Sequence, residues 1–382
     1  MNIALQRAQE KHLGKGNKTL LKPVSEPSPL RAAHKQNAAR MIDYAGFRMP
    51  LHFGSQIAEH VAVRNCAGMF DISHTRIVDL HGVNVLDWLR KLLVSDVAKL
   101  SDGGAQYSCM CRPDGGVVDD LVVFRLAADH FRITLSGATH QKSLAWLNSQ
   151  RPADVEICKL QDTAFIAVQG PDAVSRTSMA FEDLGRSADL LSMDRFTAQI
   201  TNDWFVARTG YTGEDGVEIA LPSSDALPLW NALAEQGVTA AGLGARNTLR
   251  LEAGLALSGR DLDSRHSPVE SGIGHTIDTN DPDREFIGRE ILEDHKLFGG
   301  SCLQIGIVLE GRGVLKHGQV VERVGREIGR ITSGSFSPSK EVSIALARVN
   351  QTFKGGCDVQ IGEQLVSARI TSVPFLPHNL AL

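Results

Sequence analysis

A carboxylate and a guanidinium in adjacent segments, Glu218 and Arg246, form the most informative pair of side chains in this sequence. Glu218 ends the run Gly210-Tyr-Thr-Gly-Glu-Asp-Gly-Val-Glu218, and Arg246 lies within Gly242-Leu-Gly-Ala-Arg-Asn-Thr-Leu-Arg-Leu-Glu-Ala-Gly254. A carboxylate can accept two hydrogen bonds at once from a flat ring that presents an N–H beside an amino group, whereas a fixed guanidinium fork suits an oxygen or a carboxylate. The pair is therefore a candidate for binding one small polar molecule.

The same residues also fit a purely structural interpretation. Val217, Ile219 and Leu221 alternate along the chain, which is the pattern of the inner side of a β-strand. Arg246 and Arg250 have the spacing of neighbours on the exposed side of a helix. Pattern alone favours this structural interpretation over the binding one.

The elements that must position these side chains are predicted from hydrophobic spacing and turn residues. Apolar residues at helical spacing predict helices over 83–94 and 225–236, whereas 163–169, 205–211 and 216–222 have the character of strands. Hairpins are predicted at 113–116 and around 129–130. This irregular mixture of strands and helices favours an α+β fold over a doubly wound parallel sheet. The glycines of 242–244 lack the third glycine of a dinucleotide-binding loop.

After Gly300 the pattern changes to short β-type runs at regular spacing, separated by turn residues. Such a pattern predicts a small separate β-barrel or sandwich. The predicted strands cover 303–309, 319–321, 327–332, 343–349, 358–361 and 365–370.

Length and charge exclude several classes of function. A chain of 382 residues favours two or three domains, and a formal charge of −4 with interspersed acids and bases argues against nucleic-acid binding. No apolar run is long enough to span a bilayer, and the first residues lack the apolar core of a secretory signal, so no membrane association is expected. Residues 1–28 have the composition of a mobile leader. We expect a cytoplasmic location, with the mitochondrial matrix as the alternative for a eukaryotic source.

The sequence predicts no metal site. Cys109 and Cys111 would share one face of a strand, but no second pair or neighbouring histidine completes a zinc site, so buried packing is expected. Asp119 and Asp120 should face opposite sides of a strand, which disfavours a shared cation. The histidines show no His-Glu-x-x-His spacing.

A series of sequence blocks resembles the glycine cleavage T-protein family, whose members are aminomethyltransferases. The blocks follow the order of that family and extend from about residue 29 to the C-terminal region, which makes the resemblance specific. Besides the two glycine-rich runs above, they are Met41-Ile-Asp-Tyr-Ala-Gly-Phe-Arg-Met-Pro-Leu51, Gly54-Ser-Gln-Ile-Ala-Glu-His60, Gly68-Met-Phe-Asp-Ile-Ser-His74, Ser95-Asp-Val-Ala-Lys-Leu100, Gly115-Gly-Val-Val-Asp-Asp-Leu121, Val168-Gln-Gly-Pro171, Phe286-Ile-Gly-Arg-Glu290 and Thr332-Ser-Gly-Ser-Phe-Ser-Pro338.

The resemblance implies a fold, a reaction and a set of site residues. The fold would be α+β, with two interleaved folate-binding subdomains around a central cavity over 29–297 and a β-barrel domain over 298–382. The reaction would pass the one-carbon unit of an aminomethyl-lipoyl group, carried by the H-protein, to tetrahydrofolate with release of ammonia. By this resemblance Asp96 is the catalytic acid, Glu218 and Arg246 bind folate, and Tyr211 is a weaker candidate for the same ligand. The alternative for Asp96 is a capping acid in a loop.

Several positions depart from the family pattern, and they put the one-carbon donor in question. Arg112 and Ser136 each replace a common Asn, Ser258 a Tyr and His275 a Trp, while Leu380 stands where some members have a ligand-contacting Tyr. Two further hypotheses therefore stay open beside the transferase. One is a tetrahydrofolate-dependent demethylase of a small methylated compound, and the other is a non-catalytic folate-binding protein.

Overall fold

The computed structural model describes residues 25–350 and 355–376. The predicted leader lies mostly outside this range, as does Leu380. In the described part the helices are α1 (Arg31–Gln36), α2 (Gln56–Asn65), α3 (Val85–Leu92), α4 (His140–Gln150), α5 (Ala173–Asp183), α6 (Ala226–Glu235), α7 (Leu243–Glu252) and α8 (Arg289–Phe298). None of these helices is long and apolar enough to cross a membrane.

The strands of the first two thirds of the chain belong to three sheets. They are β1 (Glu26–Pro27), β2 (Arg40–Tyr44), β3 (Phe47–His52), β4 (Gly68–Asp71), β5 (Arg76–His81), β6 (Ala105–Cys111), β7 (Val117–Ala127), β8 (His130–Leu135), β9 (Glu156–Lys159), β10 (Thr163–Gln169), β11 (Ala198–Thr201), β12 (Trp204–Arg208), β13 (Gly216–Pro222) and β14 (Thr239–Ala240). The remaining strands are β15 (Cys302–Leu309), β16 (Val320–Arg323), β17 (Arg326–Ser337), β18 (Val342–Asn350), β19 (Cys357–Ile361) and β20 (Gln364–Thr371).

The two larger sheets are interleaved along the chain. The chain enters the six-stranded sheet (β11-β12-β13-β10-β4-β14) through β4, then builds the complete five-stranded sheet (β6-β7-β8-β5-β9), and afterwards returns with β10 to finish the first sheet. The third, three-stranded sheet has the order β1-β3-β2. This arrangement confirms the predicted α+β class with interleaved subdomains.

Each larger sheet has one face covered by helices and one face turned toward the other sheet. On the six-stranded sheet, Val217, Ile219 and Leu221 pack with residues of α1, α5 and α6, which confirms the inner face predicted from their alternation. On the opposite face, Phe205 meets Phe124 of the five-stranded sheet with ring centroids 5.0 Å apart. Glu218, opposite Ala167 and Ala207, belongs to this inter-sheet region.

The last six strands close into a barrel in the order β15-β18-β17-β16-β19-β20. Their inward apolar residues, such as Ile307, Val321 and Val359, are fully buried. The barrel contacts α7, since Leu251 packs with Ile344 and Leu346. Through this contact the barrel lies against the helix that carries Arg246.

Candidate active site

Glu218 lies on the face of β13 that turns away from the helices. Its neighbours on the adjoining strands are Ala167 of β10 and Ala207 of β12. Directly opposite residues of paired strands share a face, so these two small side chains leave space beside the carboxylate. Burial raises the pKa of Glu218, and the nearby charge of Arg246 opposes that rise. Glu218 is therefore a buried acid that faces the space between the two sheets.

Arg246 is presented by the first turns of α7. The helix begins beside Gly242, whose N–H donates to Glu59 Oε2 at 2.9 Å. The Arg246 guanidinium carbon lies 4.2 Å from the centroid of the Tyr211 ring, a cation–π distance. Its Nη1 atom is buried and has no hydrogen-bond partner among the described residues. A buried guanidinium donor left unpaired is costly, so this nitrogen is suited to an acceptor on a ligand.

Tyr211 lies in the loop between β12 and β13, which is held by specific hydrogen bonds. Thr212 donates its hydroxyl to Gln169 Oε1 at 3.0 Å, and Arg64 Nη1 donates to the Thr212 carbonyl at 2.8 Å. Burial raises the pKa of the Tyr211 phenol, and the charge of Asp120 acts in the same direction. Glu218, Arg246 and Tyr211, three of the four predicted site residues, therefore form one cluster.

Asp120 extends this cluster, although no sequence pattern predicts a functional role for it. Tyr107 Oη donates to Asp120 Oδ2 at 2.8 Å, and the Ser258 hydroxyl contacts Asp120 Oδ1. Burial, followed by the charge of Asp119, raises the pKa of Asp120 to about 6. The sequence feature that could have indicated this contact is the predicted hairpin at 113–116, because it pairs the strands that carry Tyr107 and Asp120.

Asp119 and Asp120 are expected on opposite sides of a strand, yet both carboxylates contact the hydroxyl of Ser258, while the expectation that they share no cation stays a prediction. β8 pairs with β7 only as far as Leu121, so the edge of β7 beside the two acids is open. The register between β6 and β7 also shifts here, leaving Val118 as an extra residue. A bulge of this kind re-aims nearby side chains, and a hydroxyl beside the open edge can then reach both carboxylates.

The contacts around Ser258 bear on which of the two acids is more readily protonated. A serine hydroxyl has one proton, so it can donate to only one of the two carboxylates at a time. Burial raises the pKa of both acids, but Asp119 accepts hydrogen bonds from the hydroxyls of Thr139 and Ser143, which oppose that rise. The charge of Asp119 adds to the effect of burial on Asp120, so Asp120 is the more readily protonated of the two.

Asp96 makes its contacts with a different set of residues. Its carboxylate accepts two hydrogen bonds from Arg90, at 3.0 and 3.1 Å, and one from the Ala98 backbone N–H at 3.0 Å. Burial would raise the pKa of Asp96, but the bonds from Arg90 and Ala98, with Arg284 nearby, hold it below the usual value. Asp96 thus caps the 3-10 turn Val97–Lys99, which is the structural alternative considered for it.

The other departures from the family pattern have varied surroundings. Arg112 is exposed in the β6–β7 hairpin and pairs with Asp114 at 2.8 Å. Ser136 is partly buried, whereas His275 is exposed on the 3-10 turn Gly274–Thr276. Cys109 and Cys111 are fully buried with sulfurs 3.9 Å apart, as expected for packing residues.

Comparison with known proteins agrees with this fold. Residues 30–281 match the family described as GCVT N-terminal domain, and residues 304–376 match the glycine cleavage T-protein C-terminal barrel domain. The chain is 45% identical to the aminomethyltransferase of Chromobacterium violaceum over 356 residues, covering 92% of this chain and 97% of the relative. It is 43% identical to that of Nitrosococcus oceani over 350 residues, covering 91% and 94%.

A solved structure shows the same architecture. The aminomethyltransferase T of the glycine cleavage system from Bartonella henselae superimposes with a TM-score of 0.86 at 30% identity, covering 92% of this chain and 98% of that one. The fold and these matches define an aminomethyltransferase, an enzyme class that uses tetrahydrofolate as co-substrate. Within that class, the chain belongs to the glycine cleavage T-protein family.

Proposed function

We propose that this enzyme takes the one-carbon unit from an aminomethyl-lipoyl group on the H-protein and passes it to tetrahydrofolate with release of ammonia. The observation that carries the ligand assignment is the pair formed by Glu218 and Arg246. Glu218 is a buried carboxylate beside two alanines, and Arg246 has a buried Nη1 without a partner in the described chain. Such a pair fits a ligand that has both donor and acceptor edges.

Each residue of the cluster has a distinct task toward folate. When bound, tetrahydrofolate supplies the nitrogen that accepts the one-carbon unit. Glu218 accepts hydrogen bonds from the adjacent N–H and amino group of the pterin ring. Arg246 donates to an oxygen of the ligand, and its cation–π contact with Tyr211 fixes the orientation of the guanidinium.

The release of ammonia requires a group that can hold and deliver a proton, and Asp120 suits this task better than Asp96. Its pKa of about 6 keeps both protonation states accessible near neutral pH, as general acid–base catalysis requires. Asp96 has a lowered pKa, and its oxygens are occupied by Arg90 and Ala98. We therefore assign the acid to Asp120, while the role that the family resemblance gives to Asp96 stays a competing prediction.

The decisive assay combines the purified enzyme, tetrahydrofolate and H-protein carrying the aminomethyl group, and measures ammonia. We expect carrier-dependent release. Intact folate binding without carrier-dependent release would favour the demethylase hypothesis instead. Because the relatives named above are bacterial, we place the reaction in the cytoplasm.

The two acids are compared in the same assay. Asp120→Asn should lower kcat by about 10²-fold or more with a small change in folate affinity. Asp96→Asn should lower kcat less, while Asp294→Asn on the exposed side of α8 is the matched control. A larger loss of kcat in Asp96→Asn than in Asp120→Asn would return the acid to Asp96.

A further inference from the structure

Two histidines and an aspartate, none of them assigned to folate, lie together on β5 and β8. In the register of the five-stranded sheet, His81 is opposite His130 and Asp79 is opposite Arg132. Opposite residues share a face, as do residues two apart on one strand, so all four side chains leave the sheet on the same side. A search for sequential histidine motifs misses such a set, because its members come from two paired strands.

The three potential ligand atoms are close to the spacing that a metal ion needs. The imidazole rings of His81 and His130 are stacked with centroids 4.0 Å apart and planes at 28°. His130 Nε2 lies 3.5 Å from Asp79 Oδ2, and one ligand atom from each of the three residues lies within 4.8 Å of the others. Ligands of a tetrahedral zinc ion are about 3.3 Å apart, given metal–nitrogen distances of about 2.0 Å. Binding an ion requires the two stacked rings to rotate until their nitrogen lone pairs, which lie in the ring planes, converge on it.

An unpaired nitrogen gives an independent reason to expect a ligand here. His130 Nε2 is buried and makes no hydrogen bond of normal geometry among the described residues; its neighbour Asp79 Oδ2, at 3.5 Å, belongs to the same set. An imidazole nitrogen whose lone pair is not engaged in a hydrogen bond is the atom that coordinates a metal.

Arg132 decides which metals the set would accept. Its guanidinium binds both oxygens of Asp79, at 2.6 and 2.8 Å, and so neutralises that carboxylate. Each carboxylate oxygen retains a second lone pair for a metal, and a hydrogen-bonded carboxylate ligand is common in metal sites. Because the imidazoles supply most of the remaining affinity, the set suits Zn²⁺ or Ni²⁺ rather than Mg²⁺ or Ca²⁺.

We propose that His81, His130 and Asp79 form a binding site for a divalent transition-metal ion of the zinc or nickel type. The ion joins β5 to β8 and stabilises the five-stranded sheet without entering the transfer reaction. Glu156 of β9 is exposed and opposite His81, on the same face of the sheet.

The test uses the full chain without a polyhistidine tag, freed of metal by a chelator and titrated with ZnCl₂ and NiCl₂ by calorimetry. We expect one site with micromolar affinity, weakened at least about tenfold by His81→Gln or His130→Gln and lost in the double variant. His317→Gln, a surface histidine of the barrel, should bind as the parent does. Zinc should raise the Tm of the parent and of the control but not of the double variant.

Other outcomes would overturn the proposal. They are no binding by the parent chain, equal binding by the double variant, or equal binding of MgCl₂. Cys158 is exposed on β9 opposite Asp79, so Cys158→Ser is included as a further variant. Loss of zinc binding in that variant but not in the histidine variants would assign the ion to the thiol instead. The Tm and circular dichroism of each metal-free variant establish that it is folded.

Discussion

At the scale of single residues, the site depends on buried polar groups that a ligand can pair with. Glu218 is buried beside Ala167 and Ala207, and Arg246 has an unpaired Nη1. The unpaired Nη1 costs folding free energy that a hydrogen-bond acceptor on a ligand would restore. The resemblance identified these residues, but only the structure shows which of their atoms remain available.

Replacing Glu218 with glutamine tests its contact with the pterin. The amide would place an N–H₂ group against ligand donors, so we expect folate affinity to fall by about 1–3 kcal/mol, or roughly 5- to 150-fold. Calorimetric titration with tetrahydrofolate measures the change, and Glu235→Gln at the exposed end of α6 is the control. An unchanged dissociation constant for Glu218→Gln would remove this residue from the ligand contact.

The raised pKa that suits Asp120 for proton transfer should also make its ionised form destabilise the folded protein. Its folded pKa, about 6, is above its ordinary value of 3.8, so its ionisation disfavours the folded state as pH rises through this range. Above pH 6, Asp120→Asn should therefore raise the free energy of unfolding by about 2–3 kcal/mol, and the gain should shrink to about 1 kcal/mol at pH 4.5 and vanish only below pH 3.8. Urea unfolding at pH 4.5, 6 and 8 measures this pH dependence. A variant that is less stable at pH 8 would contradict the raised pKa.

At the scale of elements, hydrophobic spacing predicted where strands lie better than it predicted which polar side chains meet. β10, Thr163–Gln169, has the predicted bounds because its alternating apolar residues fill two cores. β17 runs from Arg326 to Ser337, well past the predicted end at 332, because pairing with β18 continues beyond a register shift after Ile331. Likewise the convergence of Asp119 and Asp120 on Ser258 depends on a bulge and an open edge, neither of which periodicity reveals.

Gly242, at the start of α7, allows a test of how this helix positions Arg246. A Cβ on Gly242 would overlap the carbonyl oxygen of Leu51, which belongs to backbone and cannot rotate away. Gly242→Ala should therefore destabilise the protein by about 1–3 kcal/mol and weaken folate binding, because Arg246 lies one turn later. Gly356→Ala is the control, since a Cβ there meets its nearest atom at 3.9 Å. Equal unfolding midpoints for the two variants in urea would show that α7 tolerates the displacement.

At the scale of the whole molecule, two buried polar networks join the barrel to the folate-binding region. In the first, Arg250 of α7 donates to Asp261 Oδ2 and to Ser333 Oγ of β17, each at 3.0 Å. In the second, Glu252 at the end of α7 accepts hydrogen bonds from the barrel residues Ser337 and Ser339. Sequence patterns predicted the barrel but not these networks, because they connect residues far apart in the chain. Both networks end on α7, so the helix that presents Arg246 is fixed from the barrel side.

Glu252 allows the strength of this connection to be measured. Its carboxylate also pairs with Arg64 at 3.0 Å and with His60 at 3.1 Å. Burial opposes its ionisation, but His60, Ser337 and Arg64 together lower the pKa of Glu252 to about 2. A lowered folded pKa stabilises the protein above the unfolded value of 4.5, and that contribution is lost as pH falls toward 2.

Glu252→Gln should therefore lower the free energy of unfolding at pH 7 by about 3 kcal/mol, because Arg64 and His60 lose a buried partner. The difference from the parent should shrink between pH 4.5 and pH 2, and urea unfolding across that range measures it. Glu327→Gln, which breaks an exposed pair with Arg330 in the barrel, should change stability by less than about 0.5 kcal/mol. If Glu252→Gln left both stability and folate affinity unchanged at pH 7, the barrel would not be coupled to the site through this carboxylate.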